Sequence, residues 1–262
     1  MSDSLVIIPT YNEAENIVEM IDAVFSLDKD FHLLIIDDGS PDGTADLVKA
    51  RKHEYKDQLF IEERTGKMGL GTAYIHGFRW ALKRAYDYIF EMDADFSHNP
   101  EDLEKLYEAC KKNGAEMSIG SRYVTGVNVV NWPMSRVMLS YFASFYVRLI
   151  TGMPYNDTTA GFKCYHRSVL ETIELDKVKF MGYAFQIEMK FLTWKYGFKI
   201  TEVPIIFTDR TRGESKMTSG IIKEAVFGVL QIKINSFFRK FRRDLDPQPT
   251  LIEANSLNRI DA

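Results

Sequence analysis

Tyr88-Ile89-Phe90-Glu91-Met92-Asp93-Ala94-Asp95 is the stretch that decides how this chain is read. Tyr88 to Met92 reads as a buried strand, and two carboxylates follow it, two residues apart, in the loop beyond. Acids so placed can share one divalent cation and the diphosphate it carries. Hard cations such as Mg²⁺ take oxygen ligands and are usually held by one or two carboxylates plus substrate phosphates. Asp-x-Asp alone also describes an ordinary solvated loop, so the surrounding pattern has to discriminate.

Upstream, Leu5-Val6-Ile7-Ile8 is a continuous apolar run, as expected for a strand covered on both faces. Pro9-Thr10-Tyr11-Asn12 ends it, and Ile17, Val18, Ile21 and Phe25 then recur at helical spacing. A second run, Leu33 to Ile36, stops at Asp37-Asp38-Gly39-Ser40-Pro41-Asp42-Gly43-Thr44, a dense turn signal. Asp42 or Thr44 is suited to cap a helix over Ala45 to His53. Gln58 to Glu63 reads as a third strand. Gly69 to Ala85 reads as a helix whose Ala73, Gly77 and Ala81 suit close packing. Downstream come a helix from Pro100 to Lys112 and a strand from Glu116 to Gly120. This alternation predicts an α/β fold, a mostly parallel central sheet with helices on both faces. Ligands of such sheets sit beyond the carboxyl ends of the strands. Tyr11-Asn12-Glu13, Asp37-Asp38-Gly39 and Asp93-Ala94-Asp95 are therefore expected to converge on one crevice.

The second half is less regular. Ser135 to Thr151 reads as an aromatic-rich helix, Gly161 to His166 and Ile200 to Ile206 as strands, and Tyr183 to Trp194 as a helix. Thr208 to Ser219 is a polar, basic loop. Ser219 to Arg239 is amphipathic and leads into Phe237-Phe238-Arg239-Lys240-Phe241-Arg242-Arg243. The expected organisation is a catalytic domain over 1–217, an amphipathic helix over 218–243 and a polar, poorly ordered tail over 244–262.

The 262 residues, 45% hydrophobic and 27% charged, have ordinary globular composition. A net charge of -4 gives no reason to expect a nucleic-acid partner. Cys110 and Cys164 make neither a disulfide framework nor a zinc pattern, which suits a reducing compartment. The first residues lack a basic and apolar leader, so no signal peptide is expected. No run reaches the ~18 apolar residues of a membrane span.

Several residues have both a plain and a functional reading. Asp37 and Asp38 could simply open a turn, or offer a carboxylate to a ribose or base at a strand end. Gly69-Leu70-Gly71 begins a dinucleotide fingerprint, but Tyr74 stands where the third glycine belongs, and no P-loop is present. Arg210, Arg212 and Lys216 could be a solvated run, or a loop that closes on a diphosphate, since Arg binds phosphate oxygens in a fork and Lys as a point charge. Arg122 and Arg136, near an apolar helix, could be surface arginines or could receive an anionic head group. His76, His98 and His166 have no metal-ligand spacing. Glu188 could line a site or face solvent. No Ser-His-Asp grouping stands out, and an acceptor that is already an anion needs none.

Six motifs in order carry a resemblance: Pro9-Thr10-Tyr11-Asn12-Glu13, Asp37 to Thr44, Asp93-Ala94-Asp95, Gly120-Ser121-Arg122-Tyr123, Asp157-Thr158-Thr159-Ala160-Gly161-Phe162 and Arg210 to Lys216. Over about residues 5 to 240 the chain resembles glycosyltransferase family 2, in the polyprenol (dolichol) phosphate mannosyltransferase group. The resemblance implies a GT-A fold and inverting transfer of mannose from GDP-mannose to a polyprenyl phosphate. It implies that Pro9, Tyr11, Glu13, Ile36 and Asp38 hold the nucleoside. Asp93 and Asp95, with Ala94 between them, would bind Mg²⁺ or Mn²⁺ and the diphosphate. Arg210 and Lys216 would close over the donor, and Arg122, Ser135 and Arg136 would receive the lipid phosphate. Where some relatives carry a metal-binding Gln, this chain has Ser97, a weaker ligand. Some relatives end in transmembrane hairpins. The expectation here is a protein peripheral to the cytoplasmic face of a membrane, its C-terminal helix on lipid, on a membrane-anchoring partner or simply packed in the core. Transfer of another sugar, such as glucose from a UDP-sugar, or a non-catalytic sugar-nucleotide-binding role, are the competing expectations.

Overall fold

The structure, a computed structural model, describes residues 2–209 and 219–242, of which 219–225 are described as backbone alone. The chain opens with β1 (Ser4–Thr10), α1 (Ile17–Phe25), β2 (His32–Asp37), α2 (Thr44–Arg51) and β3 (Leu59–Glu63). It continues with α3 (Leu70–Leu82), β4 (Tyr88–Glu91), α4 (Asp102–Lys111), β5 (Met117–Ser121) and β6 (Val129–Val130). Then come α5 (Met134–Thr151), β7 (Lys163–His166), α6 (Arg167–Thr172), α7 (Ala184–Lys195), β8 (Ile200–Pro204), β9 (Phe207–Thr208) and α8 (Ser219–Phe237).

Among the described residues, one large sheet has the order β3-β2-β1-β4-β7-β5-β8. Only β7 runs against its neighbours; the β1–β2, β1–β4, β2–β3 and β5–β8 pairs are parallel. The apolar run of β1 has the expected cause. Leu5 and Ile7 enter one core with residues of α3, α6 and α7, while Val6 and Ile8 enter the other with α1, α2 and α4. Alternate side chains of a strand point to opposite faces, so a strand covered on both needs apolar residues throughout. Each such side chain contributes roughly 1.5–3 kcal/mol on burial. Gly77 lets α3 lie close on β1, since a Cβ there would stand 2.8 Å from Ile7.

Strand order reverses between β1 and β4: β2 and β3 extend the sheet to one side of β1, and β4 begins the other. Such a switch point leaves a crevice at the carboxyl ends of the flanking strands. The expected strand over Ile200 to Ile206 is split. It stops at Pro204, which has no N–H for the ladder, and Phe207 and Thr208 then pair with Val129 and Val130 in a second, two-stranded sheet. The expected strand from Gly161 begins only at Lys163.

α8 is packed as well as amphipathic. Val229 and Ile232 are buried with Val147 of α5 and Ile187 and Phe191 of α7. Among the described residues no helix is long and apolar enough to cross a membrane. The expected domain boundary at 217/218 and the tail over 244–262 lie outside the described residues.

Near the N-terminus, Asp3 accepts hydrogen bonds from Lys29 Nζ, Ser4 Oγ and Tyr107 Oη, each at 2.8 Å. Burial pushes its carboxyl upward, but the three donors outweigh this and lower its pKa to about 2. A depressed carboxylate stabilises the fold above its unfolded pKa and loses that contribution as pH falls from 3.8 to about 2. Asp3→Asn is expected to cost about 1 kcal/mol at pH 7, discounted for solvent screening, and only a small fraction of that near pH 2. Urea unfolding at the two pH values checks this; an equal cost at both would show that the charge is not responsible.

Candidate active site

The loops after β1 and β2 are laced together. Thr10 Oγ1 donates to Asp37 Oδ2 at 2.8 Å, Asn12 N to Ser40 Oγ at 3.0 Å, Glu13 N to Thr44 Oγ1 at 3.0 Å and Ala14 N to Asp42 Oδ2 at 3.0 Å. Asp42 also accepts from Thr44 N and Oγ1, but the N-cap of α2 is Gly43, so neither Asp42 nor Thr44 takes the expected capping position. Asp38, 6% exposed, is gripped by Arg64, whose Nε and Nη2 stand 2.6 and 2.8 Å from its two oxygens. Gly39 adopts φ +69°, and a Cβ there would meet the Arg64 carbonyl at 3.2 Å. Arg64 Nη1 donates to Thr72 Oγ1 of α3.

Beyond β4, Asp93 is half-exposed and Asp95 is buried. Ala94 sits in the core beneath them, which a larger side chain would crowd. Ser97 N donates to Asp95 Oδ1 at 3.1 Å, so Ser97 orients the acid through its main chain. Phe96 has φ +58°, strained for a bulky side chain, at about 1–3 kcal/mol. His98, fully enclosed, stacks on Phe162 and accepts from Asp93 N at 3.4 Å. Burial pulls its pKa down to about 4 against the attraction of Asp95, so it is neutral at pH 7. Thr208 N donates to the Ser97 carbonyl, which fastens β9 to this loop.

A third cluster lies beyond β5. Arg122 is buried and bound in fork geometry by Asp157, at 2.7 Å from each carboxylate oxygen, with Nη2 also donating to Thr159 Oγ1. Burial works against its charge, but Asp157 overrides this and raises its pKa; Asp157 is correspondingly held below the usual range by Arg122. Glu202 collects Ser121 Oγ and the main-chain N–H groups of Asn156 and Asp157 at 2.8 Å. Arg136, in the first turn of α5, lies over the Trp132 ring at 4.2 Å and pairs with Asp209 at 2.7 Å. Trp132 Nε1 is a buried polar atom without a hydrogen-bond partner among the described residues, while the Tyr123 and Ser140 hydroxyls interact with each other.

Residues 5–174 match the family "Glycosyl transferase family 2". The chain belongs to this family. It is 46% identical over 228 residues to the polyprenol monophosphomannose synthase of Mycolicibacterium smegmatis, covering 87% of this chain and 86% of that protein. It is also 46% identical over 225 residues to the undecaprenyl-phosphate mannosyltransferase of Micrococcus luteus, covering 86% and 91%. Among solved structures it is similar to the glucosyl-3-phosphoglycerate synthase of Mycobacterium tuberculosis in complex with Mn²⁺, UDP and phosphoglyceric acid. That likeness has a TM-score of 0.65 at 15% identity and covers 88% of this chain and 77% of the other. A mannosyltransferase of Pyrobaculum calidifontis in complex with GDP-Man and Mn²⁺ aligns with a TM-score of 0.54 at 16% identity, covering 99% and 79%. At these identities the structural likeness speaks for the fold, which is of GT-A type.

In this glycosyltransferase β2, β1 and β4 are parallel neighbours, so the three strand-end segments follow one edge of the sheet, but not every expected residue is equally available. Pro9, Tyr11 and Glu13 are half-buried at and beyond the end of β1, whereas the Ile36 side chain is fully enclosed in the core. Ser135 is exposed on α5. Arg210 and Lys216 lie outside the described residues. Glu188 is buried and distant in role: it accepts from the main-chain N–H groups of Lys179 and Phe180. Arg64, Asp157, Glu202 and Asp209 carry much of the site's geometry and were not singled out from the sequence. Asp157 stood within a quoted motif, but its role as counter-ion to Arg122 depends on tertiary contact.

The Arg122 geometry separates two roles by experiment. Removing one partner of a buried ion pair leaves an uncompensated charge and costs about 3–5 kcal/mol. Asp157→Asn is expected to lower the unfolding free energy by this amount, read by chemical denaturation. An unchanged midpoint would show that Arg122 does not depend on Asp157.

Proposed function

We propose that this glycosyltransferase transfers mannose from GDP-mannose to a polyprenyl phosphate, with inversion at the transferred carbon and with Mg²⁺ or Mn²⁺. The observation that carries the reading is the pairing of two unlike halves. The acids at the β1/β4 switch point suit the donor, and Arg136, in the first turn of α5, stands at the head of a helix whose outer side is apolar. The names of the two relatives at 46% identity support both the sugar and the lipid acceptor.

Pro9, Tyr11, Glu13, Asp38 and the main chain at Ile36 would hold the nucleoside. Asp93 and Asp95 supply hard oxygen donors that fit a divalent cation completed by diphosphate oxygens. Bound there, the cation would supply charge neutralisation for the departing diphosphate. Arg210 and Lys216 would add to that neutralisation. The Arg136 guanidinium would hold the acceptor phosphate in line, with Arg122 fixing the loop behind it. One acceptor oxygen forms the new bond to the anomeric carbon as the bond to the diphosphate breaks, and the electron pair leaves with the diphosphate. A single displacement inverts the carbon. A phosphate monoester, with its second pKa at about 6, is already an anion at pH 7, so no general base is required. Neutral, enclosed His98 is suited to holding the Asp93 loop rather than to taking a proton.

The test is transfer of labelled mannose from GDP-mannose to a short polyprenyl phosphate, with Mg²⁺, Mn²⁺ or EDTA. Extractable mannolipid that EDTA abolishes is expected, with Asp95→Asn reducing turnover by at least about 10²-fold. Product from a UDP-sugar only would overturn the mannose assignment and keep the chemistry. No transfer from any donor would favour a binding role.

A lipid acceptor puts the protein at a bilayer surface, peripheral to the cytoplasmic face. α5 exposes Met138, Phe142, Phe145 and Leu149 along one stripe, and α8 exposes Phe227, Leu230, Ile234 and Phe237 along another. Helical stripes of this kind suit an interfacial helix. A Phe142→Ser/Phe145→Ser/Phe227→Ser variant is expected to lose sedimentation with anionic vesicles while keeping its melting temperature. Unchanged vesicle binding would assign the stripes to a protein partner instead.

A further inference from the structure

Tyr74 stands where a dinucleotide fingerprint would have its third glycine, and the structure gives it a different place. It lies on α3, fully enclosed, with its ring stacked on Phe185 of α7, the centroids 6.0 Å apart and the planes within 6°. The two helices meet closely because Gly71 has no side chain. A Cβ there would stand 2.8 Å from the Phe185 ring, and Gly71 N donates to the Met181 carbonyl at 2.7 Å. A phenol enclosed in this way needs an internal acceptor for its proton. The Tyr74 hydroxyl reaches the end of β4 and meets two, the Met92 carbonyl at 3.3 Å and the Asp93 carboxylate. The carbonyl contact is long for an O–H donor, and an ionised carboxylate is the stronger acceptor.

We propose that Tyr74 is a positioning residue for the divalent cation: its hydroxyl holds the Asp93 carboxylate in the orientation that binds the metal. The inference rests on the reading that Asp93 and Asp95 hold that cation. Asp95 is buried and oriented by Ser97 N, whereas Asp93 is half-exposed. A carboxylate in that setting gives up rotamer freedom when it takes a metal. A donor fixed in the core removes part of that cost before the metal arrives, and donors of this kind contribute about ten- to a hundredfold in metal affinity. The hydroxyl comes from a helix packed into the core, so its position does not depend on the loop it steadies. The same helix carries Thr72, which accepts from Arg64 Nη1 and so braces the Arg64–Asp38 pair. α3 thus supports the acids that follow both β2 and β4.

The experiment measures GDP affinity by titration calorimetry, with and without Mn²⁺, for wild type, Tyr74→Phe and Asp93→Ala. The gain in affinity that Mn²⁺ gives is the coupling between metal and nucleotide. Tyr74→Phe keeps the ring stack and removes only the hydroxyl. It is expected to leave the metal-free GDP affinity and the melting temperature unchanged. The Mn²⁺ gain is expected to fall by about tenfold, or to vanish where it is smaller than that. An unchanged gain would overturn the proposal. So would an equal loss of affinity with and without Mn²⁺, which would leave Tyr74 a packing role alone. Asp93→Ala separates the two levels. If it keeps the full Mn²⁺ gain, or if wild type shows none, the reading that Asp93 holds the cation fails, and the proposal with it. If Asp93→Ala removes the gain while Tyr74→Phe keeps it, only the role of Tyr74 fails.

Discussion

Glu91 and Lys163 are both fully enclosed, 3.0 Å apart, and face each other as register partners at the end of β4 and the start of β7. This buried ion pair ties the strand that leads into the Asp93 loop to its antiparallel neighbour. Glu91 lies two residues before Asp93, and its other oxygen accepts from Tyr165 Oη at 2.7 Å. Lys163 reaches on to Gln186 of α7. The pair joins the parallel β3-β2-β1-β4 half of the sheet to the antiparallel strand β7 and, through Gln186, to α7. Against two well-packed apolar residues such a pair gains little net stability. Its contribution is to register: a one-residue slip of β7 would turn Lys163 to the other face and leave Glu91 unpaired in the core.

The charge does not end there. Lys190 of α7, also enclosed, donates to the Ala160 carbonyl at 2.5 Å. Burial and the nearby Lys163 pull its pKa well below the ordinary lysine value. Burial likewise lowers Lys163, against the pull of Glu91. Two buried lysines thus anchor α7 side chains and the chain near Asp157, Lys163 to Glu91 and Gln186, and Lys190 to the Ala160 carbonyl. In addition, Glu202 and Asp157 fix the loop that orients Arg122. Groups so constrained keep their geometry without reorganising when a charged ligand arrives, which is what electrostatic stabilisation of a departing diphosphate requires.

The site thus has graded rigidity. At its floor are ion pairs that water does not reach. At its rim are the half-exposed Asp93 and the half-exposed Arg136–Asp209 contact. The strained Phe96 backbone lies between the two levels, in the loop that carries both acids. Strain of this kind persists only where surrounding contacts over-determine the loop, and here Asp95, Ser97, His98 and Thr208 do so.

What the sequence determined by itself was everything that repeats with a short period or sits at a strand end. The apolar runs of β1 and β2 required a sheet covered on both faces. The turns after them, and Asp93-Ala94-Asp95 after β4, therefore had to meet at the carboxyl edge. That logic is local, because burial on two faces leaves its mark residue by residue. What only the tertiary structure decided was pairing at long range. The insertion of β7 against its neighbours, the break at Pro204, Arg64 on Asp38, Asp157 on Arg122 and Asp209 on Arg136 join residues 26, 35 and 73 positions apart in the last three cases. A charged residue reads the same in sequence whether it ends in solvent or in the core. Only the fold, by removing water from some of these groups and supplying a counter-ion, assigns each its role.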